Sequence, residues 1–582
     1  MNLRSPKWQQ LFDILLPSSS PLHNRDITRG LVIAIVVGVI AGLGAVVFRN
    51  LITFIETLGF GHGKSALGFL GDYYIVIIPA LGGLIVGPLI YFFAREAKGH
   101  GVPEVMIAVA KNGGRIRGRV ALVKILASAI TIGTGGSVGR EGPIVQIGAT
   151  LGSTIGQRLR LPEDWIRTLV ACGAAGGISA TFNAPIAGVF FALEVILGSF
   201  TTRYFSVVVV SSVVAAVVSH AFFPDIANLI VPEYGLEGPL EIPLYAILGV
   251  LAGAVGVIFM IVLYFFEDAF DWLKFPEWGK PAIGGLIIGA IGLYSTDLFG
   301  VGYGALERAA NGEMLMKTAL ILLGLKILAT SITIGSGGSG GVFAPSLFLG
   351  AMVGTAFGSF ANQLFPETAG PIGAYAIVGM AAVFSSTARA PITAVVILFE
   401  LTRDYNIILP LMLGVVVSTV VSQLLYKESI YTKKIRRKGI NPPGEEMLDA
   451  LEGVMVGDVM TKNFQNVPSG LPIETLEERF KEAGQRGLLV VDENGELEGV
   501  VTVSDLENAL RDGLSDATAG DIATQSVLTA YPDQSLRSAL LQIGADEVGR
   551  IPVVMRENER EVAGVLRRHD IIGAYIKANQ RK

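Results

Sequence analysis

Residues 124–149 read KILASAITIGTGGSVGREGPIVQIGA, and residues 326–351 read KILATSITIGSGGSGGVFAPSLFLGA. The two stretches align without a gap, 202 residues apart. A second pair follows in the same order. ATFNAPIAGVFFALE ends at Glu194 and STARAPITAVVILFE ends at Glu400, each glutamate nine residues after its proline, Pro185 and Pro391. Low complexity could mimic one such match, but not two in register. The first three quarters of the chain are therefore two related halves, about 30–225 and 240–426.

Around these repeats the chain is apolar. Of its 582 residues 51% are hydrophobic and 16% charged, where a soluble domain is nearer one quarter charged. Residues 31–48, 74–94, 204–224, 242–266 and 405–426 are long enough to cross a bilayer, which takes about 20 apolar residues. From 327 to 366 no residue is charged, yet glycines and prolines break the run, which suggests short helices that stop inside the membrane. Paired broken helices at matching positions of two halves point to a substrate site at the membrane midplane. Inverted halves would let both broken helices aim their N-termini at that site from opposite sides; counting spans leaves the parity open. The N-terminus, with Arg4, Lys7 and Trp8 before Pro17 and Pro21, reads as a cytoplasmic surface helix rather than a cleavable signal. Cys172 is the one cysteine, which excludes an internal disulfide and a cysteine metal site. A net charge of −5 gives no reason to expect nucleic acid.

Three glycine-rich segments carry the chemistry: Gly99-His100-Gly101-Val102-Pro103, Gly139-Arg140-Glu141-Gly142-Pro143 and Gly340-Gly341-Val342-Phe343-Ala344-Pro345. Each places proline near the first turn of a helix, where it is tolerated. A glycine-rich helix start offers unpaired N–H groups and the positive end of the helix dipole, an anion site with no full charge in it. Such a site is weak enough for the ion to leave again.

These segments resemble, in order, the GSGIP, GREGP and GxFxP signatures of the CLC family of chloride channels and proton/chloride exchangers. The resemblance implies a mostly α integral membrane protein of two inverted structural repeats with broken helices (residues 1–432), a linker (433–453) and a small cytoplasmic α/β CBS pair (454–582). It implies that Glu141 is a gating carboxylate that competes with the anion. The implied anion-binding set is His100, Gly101, Arg140, Gly142, Val342, Phe343 and Tyr431. The plainer alternative for Glu141 is an ion pair with Arg140 at a helix end. His100 stands where the family has serine, and either donates from its ring or turns away. Val195, directly after Glu194, stands where proton-coupled members carry a second, proton-relaying glutamate, and it cannot titrate. That favours a gated chloride-selective channel, with a proton/chloride antiporter as the alternative. Glu194 and Glu400, being symmetric, are expected to cap or brace helices. The partners implied are chloride or a similar small anion, lipid, a second copy in a homodimer and, for an antiporter, protons. The implied location is the cell membrane, with both termini cytoplasmic.

The basic run Lys433, Lys434, Arg436, Arg437 and Lys438 marks a cytoplasmic membrane edge. The tail repeats once: residues 499–506, GVVTVSDL, correspond to 564–571, GVLRRHDI. Each copy follows an apolar strand and leads into a helix, which resembles the CBS domain. That resemblance makes Thr502, Asp505 and Asp570 the residues for an adenine nucleotide; Arg567 replaces the threonine in the second copy, and a purely structural role is the competing reading. No other cofactor, metal or catalytic residue is expected, since no nucleophile–base set or ligand cluster is evident. Residues 335–340 fit G-x-G-x-x-G but lack the strand before and the acid after that a dinucleotide fold needs. A CBS-bearing divalent-cation transporter would need pore carboxylates, whereas these segments offer N–H donors.

Overall fold

The computed structural model describes residues 22–63, 68–200, 202–223, 234, 238, 241–443, 454–485, 487–514, 516–525, 527–536, 538–540 and 550–580. The proposed N-terminal surface helix and the linker from 444 to 453 lie outside the described residues. The chain forms two compact units, Met1–Pro443 and Gly444–Lys582.

The larger unit is built of helices, as it must be where no water can satisfy a backbone. The first half runs α1 (Leu22–Glu56), α2 (Tyr74–Phe93), α3 (Val102–Lys111), α4 (Arg119–Gly133), α5 (Glu141–Arg158), α6 (Glu163–Phe182), α7 (Pro185–Phe191) and α8 (Thr202–Phe222). The second half repeats the order with α9 (Ile242–Trp272), α10 (Lys280–Gly292), α11 (Tyr303–Ala310), α12 (Met316–Gly335), α13 (Phe343–Leu364), α14 (Ile372–Ala388), α15 (Pro391–Thr402) and α16 (Ile408–Leu425). A short helix, α17 (Thr432–Arg437), follows. Seven helices among the described residues are long and apolar enough to span a membrane, including all five stretches picked out by hydropathy. The uncharged stretch 327–366 differs from expectation. It is the end of α12, a break over 336–342, and then the 22-residue α13, not a series of short helices. Most of α13 is buried against protein, so it needs no uninterrupted apolar surface of its own. Its close neighbour is α14: a methyl group at Gly350 would overlap the Gly379 carbonyl, so the two backbones touch. Gly148 of α5 and Gly173 of α6 meet in the same way in the first half. Small residues at crossings allow this approach where the hydrophobic effect no longer drives helices together.

The two inverted structural repeats are locked by reciprocal bonds. The Glu194 carboxylate accepts from the N–H groups of Ile392 (3.2 Å) and Thr393 (2.9 Å), at the start of α15. The Glu400 carboxylate accepts from Ile186 (3.0 Å) and Ala187 (2.7 Å), at the start of α7. Each half thus caps a helix of the other, as the symmetry of the two glutamates suggested. Likewise Ser137 N–H donates to Thr333 Oγ1 (3.2 Å) and Ser339 N–H to Thr131 Oγ1 (3.3 Å).

The smaller unit is α/β. Strands β1 (Asn466–Pro468), β2 (Gly487–Val491) and β3 (Leu497–Thr502) form one sheet, with β1 and β2 parallel and β2 and β3 antiparallel. Helix α18 (Ile473–Ala483) joins β1 to β2, and α19 (Val503–Arg511) follows β3. The second copy pairs β4 (Arg550–Val554) antiparallel with β5 (Val562–Arg567), followed by α20 (Arg568–Gln580). The copies exchange edges. Thr461 pairs with Val565 on β5, and Thr524 pairs with Val500 on β3. Each copy has its own apolar core, around Val490 and Phe480 in the first and around Ile551 and Leu566 in the second.

Candidate functional site

The three glycine-rich segments meet. Gly139 and Gly341 exchange backbone hydrogen bonds of 2.8 and 2.6 Å, and Gly99 donates to Gly338 (3.1 Å) while accepting from Gly340 (3.3 Å). Only glycine permits this. A β-carbon at Gly142 would overlap the His100 carbonyl, and one at Gly341 would lie 2.6 Å from the Gly142 nitrogen. Around the junction Ser339 Oγ donates to the Ala97 carbonyl (2.8 Å) and is within 2.8 Å of Ser128 Oγ.

Two buried lysines hold the loops that lead in. Lys124 Nζ donates to the carbonyls of Ala97 (3.0 Å) and Gly99 (2.8 Å). Lys326 Nζ donates to those of Leu298 (3.1 Å) and Gly300 (2.8 Å). Both lysines are fully buried. They open the two repeated segments of the sequence, and their bonds are equivalent.

Two helices, α5 and α13, start at the junction. Among the described residues, the N–H groups of Glu141 and Gly142, and of Phe343 and Ala344, make no backbone hydrogen bond. They form the donor fan expected at helix N-termini. The Glu141 carboxylate is fully buried, and it lies against Gly139 and the Ala344 N–H without reaching hydrogen-bond geometry. Among the described residues it makes no hydrogen bond to Arg140, although the Arg140 charge still acts on it. The Phe343 ring packs on Phe384 (4.0 Å between centroids), Phe182 (5.4 Å) and Phe191 (6.2 Å), which fixes the first turn of α13.

On the side toward α17, the His100 and Tyr431 rings lie 5.9 Å apart, each about 1% exposed. Neither His100 ring nitrogen has a partner. Tyr431 is held from behind: the Tyr264 hydroxyl donates to the Ile430 carbonyl (2.6 Å), and Ile430 N–H donates to the Thr387 carbonyl (2.9 Å). Lys434 pairs with Glu267 (3.2 Å), Arg437 with Asp268 (2.7 Å) and Lys438 with Glu104 (2.7 Å), which ties α17 to α9 and α3.

His100, Gly101, Glu141, Gly142, Val342, Phe343 and Tyr431 thus gather at one junction, and Tyr431 is within electrostatic reach of Glu141. Arg140 does not join them. It lines a cavity of about 820 Å³ instead, with its guanidinium 5.3 Å from the centre of the Tyr303 ring. Val195 is buried in the apolar core. Lys124, Lys326, Ser339 and the threonine pair were not singled out from sequence.

The region 82–423 matches the family model "Voltage gated chloride channel". The chain belongs to the voltage-gated chloride channel family. Residues 456–512 and 519–577 match the CBS domain. Among relatives of this CLC chain, the Arabidopsis thaliana chloride channel protein CLC-f is 31% identical over 94% of this chain and 80% of its own length. The Vibrio campbellii H(+)/Cl(-) exchange transporter ClcA is 33% identical over 70% of this chain and 89% of its own length. The crystal structure of a slow cyanobacterial Cl-/H+ antiporter superposes with a TM-score of 0.64 at 29% identity, over 70% of this chain and 98% of that one. The chain is thus a multi-pass integral membrane protein of an anion-transporting family.

CBS domains commonly bind adenine nucleotides, and the residues expected to do so can be tested on their geometry. Asp570 does not fit. Its carboxylate accepts from Arg567 N–H (3.0 Å) and Nε (3.1 Å) and faces His569 Nε2 (3.2 Å), while the Arg567 guanidinium also donates to Thr461 Oγ1. The cleft beside it, bordered by Thr461, Arg550 and Arg567, holds about 30 Å³, far below the roughly 300 Å³ at which ligand pockets begin. Thr502 and Asp505 form a capping box: Asp505 Oδ2 accepts from Thr502 N–H (2.8 Å) and Oγ1 (2.7 Å) at the start of α19. That leaves Asp505 with one uncommitted oxygen.

Proposed function

We propose that the protein is a gated, chloride-selective anion channel of its family. The anion is held by the N–H groups of Val342, Phe343 and Gly142 and by the side chains of His100 and Tyr431, and Glu141 is the gate. One observation carries this reading: a buried carboxylate that reaches no hydrogen bond lies against the open N–H fan of α13, where glycine segments of both halves meet. A carboxylate there occupies the place of an anion. Protonation removes its charge and its competition, so acid opens the path. The homodimer and the cytoplasmic termini belong to the same proposal. They are supported by the basic run 433–438 and by exposed apolar side chains such as Ile186, Ile392, Leu409 and Leu424.

A specific observation favours a second reading, proton/chloride antiport: the exchangers among the relatives. Val195 weighs against it, because nothing at that position carries a proton. Reversal potentials of the reconstituted protein under a pH gradient separate the two. A potential that follows chloride alone supports the channel, and one that shifts with the proton gradient supports exchange. For the gate, Glu141→Gln is expected to raise chloride flux severalfold and to flatten its rise toward acid. Unchanged flux and unchanged pH dependence would remove Glu141 from that role.

A further inference from the structure

Where α4 starts, α5 ends and α6 starts, the chain collects positive charge. Residues 111–119 and 158–167 hold seven arginine or lysine residues against two acidic ones, Glu163 and Asp164. The two segments are packed together. Ile116 N–H donates to Ser153 Oγ (2.9 Å), Ser153 Oγ donates to the Gly114 carbonyl (2.6 Å), and Gln157 Nε2 donates to the Ile116 carbonyl (2.8 Å). A β-carbon at Gly114 would lie 2.9 Å from the Arg167 nitrogen, so the same loop rests on α6. Arg119, Arg158, Arg160 and Arg167 are thereby brought to one end of the bundle. The nearby carboxylates do not balance them. Glu96 is bonded to Arg117 and also feels the Arg119 charge, and Glu163 pairs with Arg115 at 3.8 Å. Asp164 alone is left to offset Lys111, Arg158, Arg160 and Arg167, none of which has an ion pair among the described residues. The Arg167 Nε is buried and lacks a hydrogen-bond partner among the described residues.

The surroundings are those of a bilayer edge. Leu122 (63% exposed) and Leu126 (36%) follow Arg119 on one face of α4, three and seven residues on. Leu159, also exposed, stands between Arg158 and Arg160. At the start of α6 the Trp165 ring packs on α1, where a β-carbon at Gly30 would overlap it, and tryptophan favours the level of the headgroups. A soluble anion makes no use of the leucines, and a neutral lipid makes none of the arginines. An anionic phospholipid uses both. We propose that Arg119, Arg158, Arg160 and Arg167 seat the phosphate headgroup of an anionic phospholipid, with an acyl chain along Leu122 and Leu126. The planar guanidinium fork matches phosphate oxygens, and every basic side chain at the membrane surface adds to the attraction. The lipid holds the last turn of α5, the helix that begins at Glu141. The seat does not depend on which anion the protein passes.

The test uses the purified full chain in a mild detergent at constant ionic strength. Unfolding of the membrane unit is read by the reaction of a thiol dye with Cys172, the sole cysteine and fully buried. Added dioleoylphosphatidylglycerol is expected to raise the melting temperature to a plateau, while dioleoylphosphatidylcholine and inorganic phosphate at the same concentrations leave it in place. Arg158→Gln, at an exposed position, is expected to raise the half-saturating phosphatidylglycerol about fivefold. Arg119→Gln is a second variant with the same expectation. Lys274→Gln is the control: it removes one exposed charge on the same membrane side, where Asp271 pairs with Lys98 (3.7 Å), and should leave the half-saturation unchanged. Equal shifts from Arg158→Gln and Lys274→Gln overturn the proposal, because total charge alone would then draw the lipid. Equal stabilisation by phosphatidylcholine overturns it as well. So does equal stabilisation by inorganic phosphate, which would make the patch a site for a soluble anion.

Discussion

Lys124 and Lys326 carry amino groups enclosed in an apolar interior, and each is accommodated there by donating to two carbonyls. Replacing Lys124 with Met fills the volume but removes one hydrogen bond from each of the Ala97 and Gly99 carbonyls, which keep only Ser339 Oγ and the Gly340 N–H, at about 0.5–1.5 kcal/mol for each bond lost. Lys124→Met is therefore expected to lower the melting temperature in detergent and to cut chloride flux, because the same bonds place the Gly99–Gly101 turn. Lys326→Met should lower stability to a similar degree; a native melting temperature in both would show that the bonds are dispensable. His100 presents the opposite case, a buried ring with neither nitrogen partnered. An unpaired buried ring costs energy until something accepts from it. Added chloride is thus expected to raise the native melting temperature, and His100→Ser to reduce that rise, as linkage requires of a residue that contacts the ion. An identical chloride response in the two proteins would mean that the ring only fills space. At this scale the meeting of Glu141, Gly142, Val342 and Phe343 was legible, because they stand inside motifs, whereas the two lysines begin the aligned repeats without any pattern that marks their role. Arg49 and Tyr303, which line the same cavity as Arg140, were not, because a lone charge and a lone ring 254 residues apart carry no pattern until the fold brings them to one cavity.

Among the elements, the starts of α7 and α15 depend on carboxylates from the opposite half. A helix start in the apolar setting of a membrane unit has no water for its first N–H groups, and Glu194 and Glu400 satisfy two each. Losing a cap costs about 0.5–2 kcal/mol, and more when the acceptor is charged and buried. Glu194→Ala and Glu400→Ala are each expected to lower the melting temperature, whereas Glu194→Gln, which retains one acceptor oxygen, should lose less. Equal stability of the alanine variants and the native protein would show that the caps are incidental. The caps were foreseeable because both glutamates fall at the same distance after a proline. The shape of the uncharged stretch 327–366 was not. Composition counted its glycines as helix breaks, but three of the eight, Gly350, Gly354 and Gly358, sit inside α13, where the absence of a side chain admits α14. A glycine that ends a helix and one that admits a neighbour look alike until the neighbour is known. The same limit hid the inversion: helices such as α4 (15 residues) and α14 (17 residues) are too short to count as spans, so parity could not be read from hydropathy.

At the scale of the molecule, the boundary between the two units determines what each can do alone. The membrane unit ends at Pro443, after α17. Although α17 leads toward the CBS pair, its charges are spent inward, on Glu267, Asp268 and Glu104 of the membrane unit. Tyr431, which precedes α17, is fixed by Tyr264 and Thr387 of that same unit. Every positioning bond described for the anion junction thus comes from within Met1–Pro443. The CBS pair in turn closes its own cores and exchanges edges between its two copies. Its second cleft is sealed by Arg567 holding Asp570 and Thr461. A chain ending at Pro443 is accordingly expected to fold, to purify as a single species, and to pass chloride with the same response to Glu141→Gln as the full chain. In the full chain, adenosine nucleotides should leave the unfolding of the CBS pair unshifted where they depend on Asp570; Arg567→Thr, which frees that carboxylate, is the variant in which a shift could first appear. Loss of chloride flux on truncation, with the protein still folded, would show that the tail supplies part of the pathway and would overturn the independence argued from these bonds.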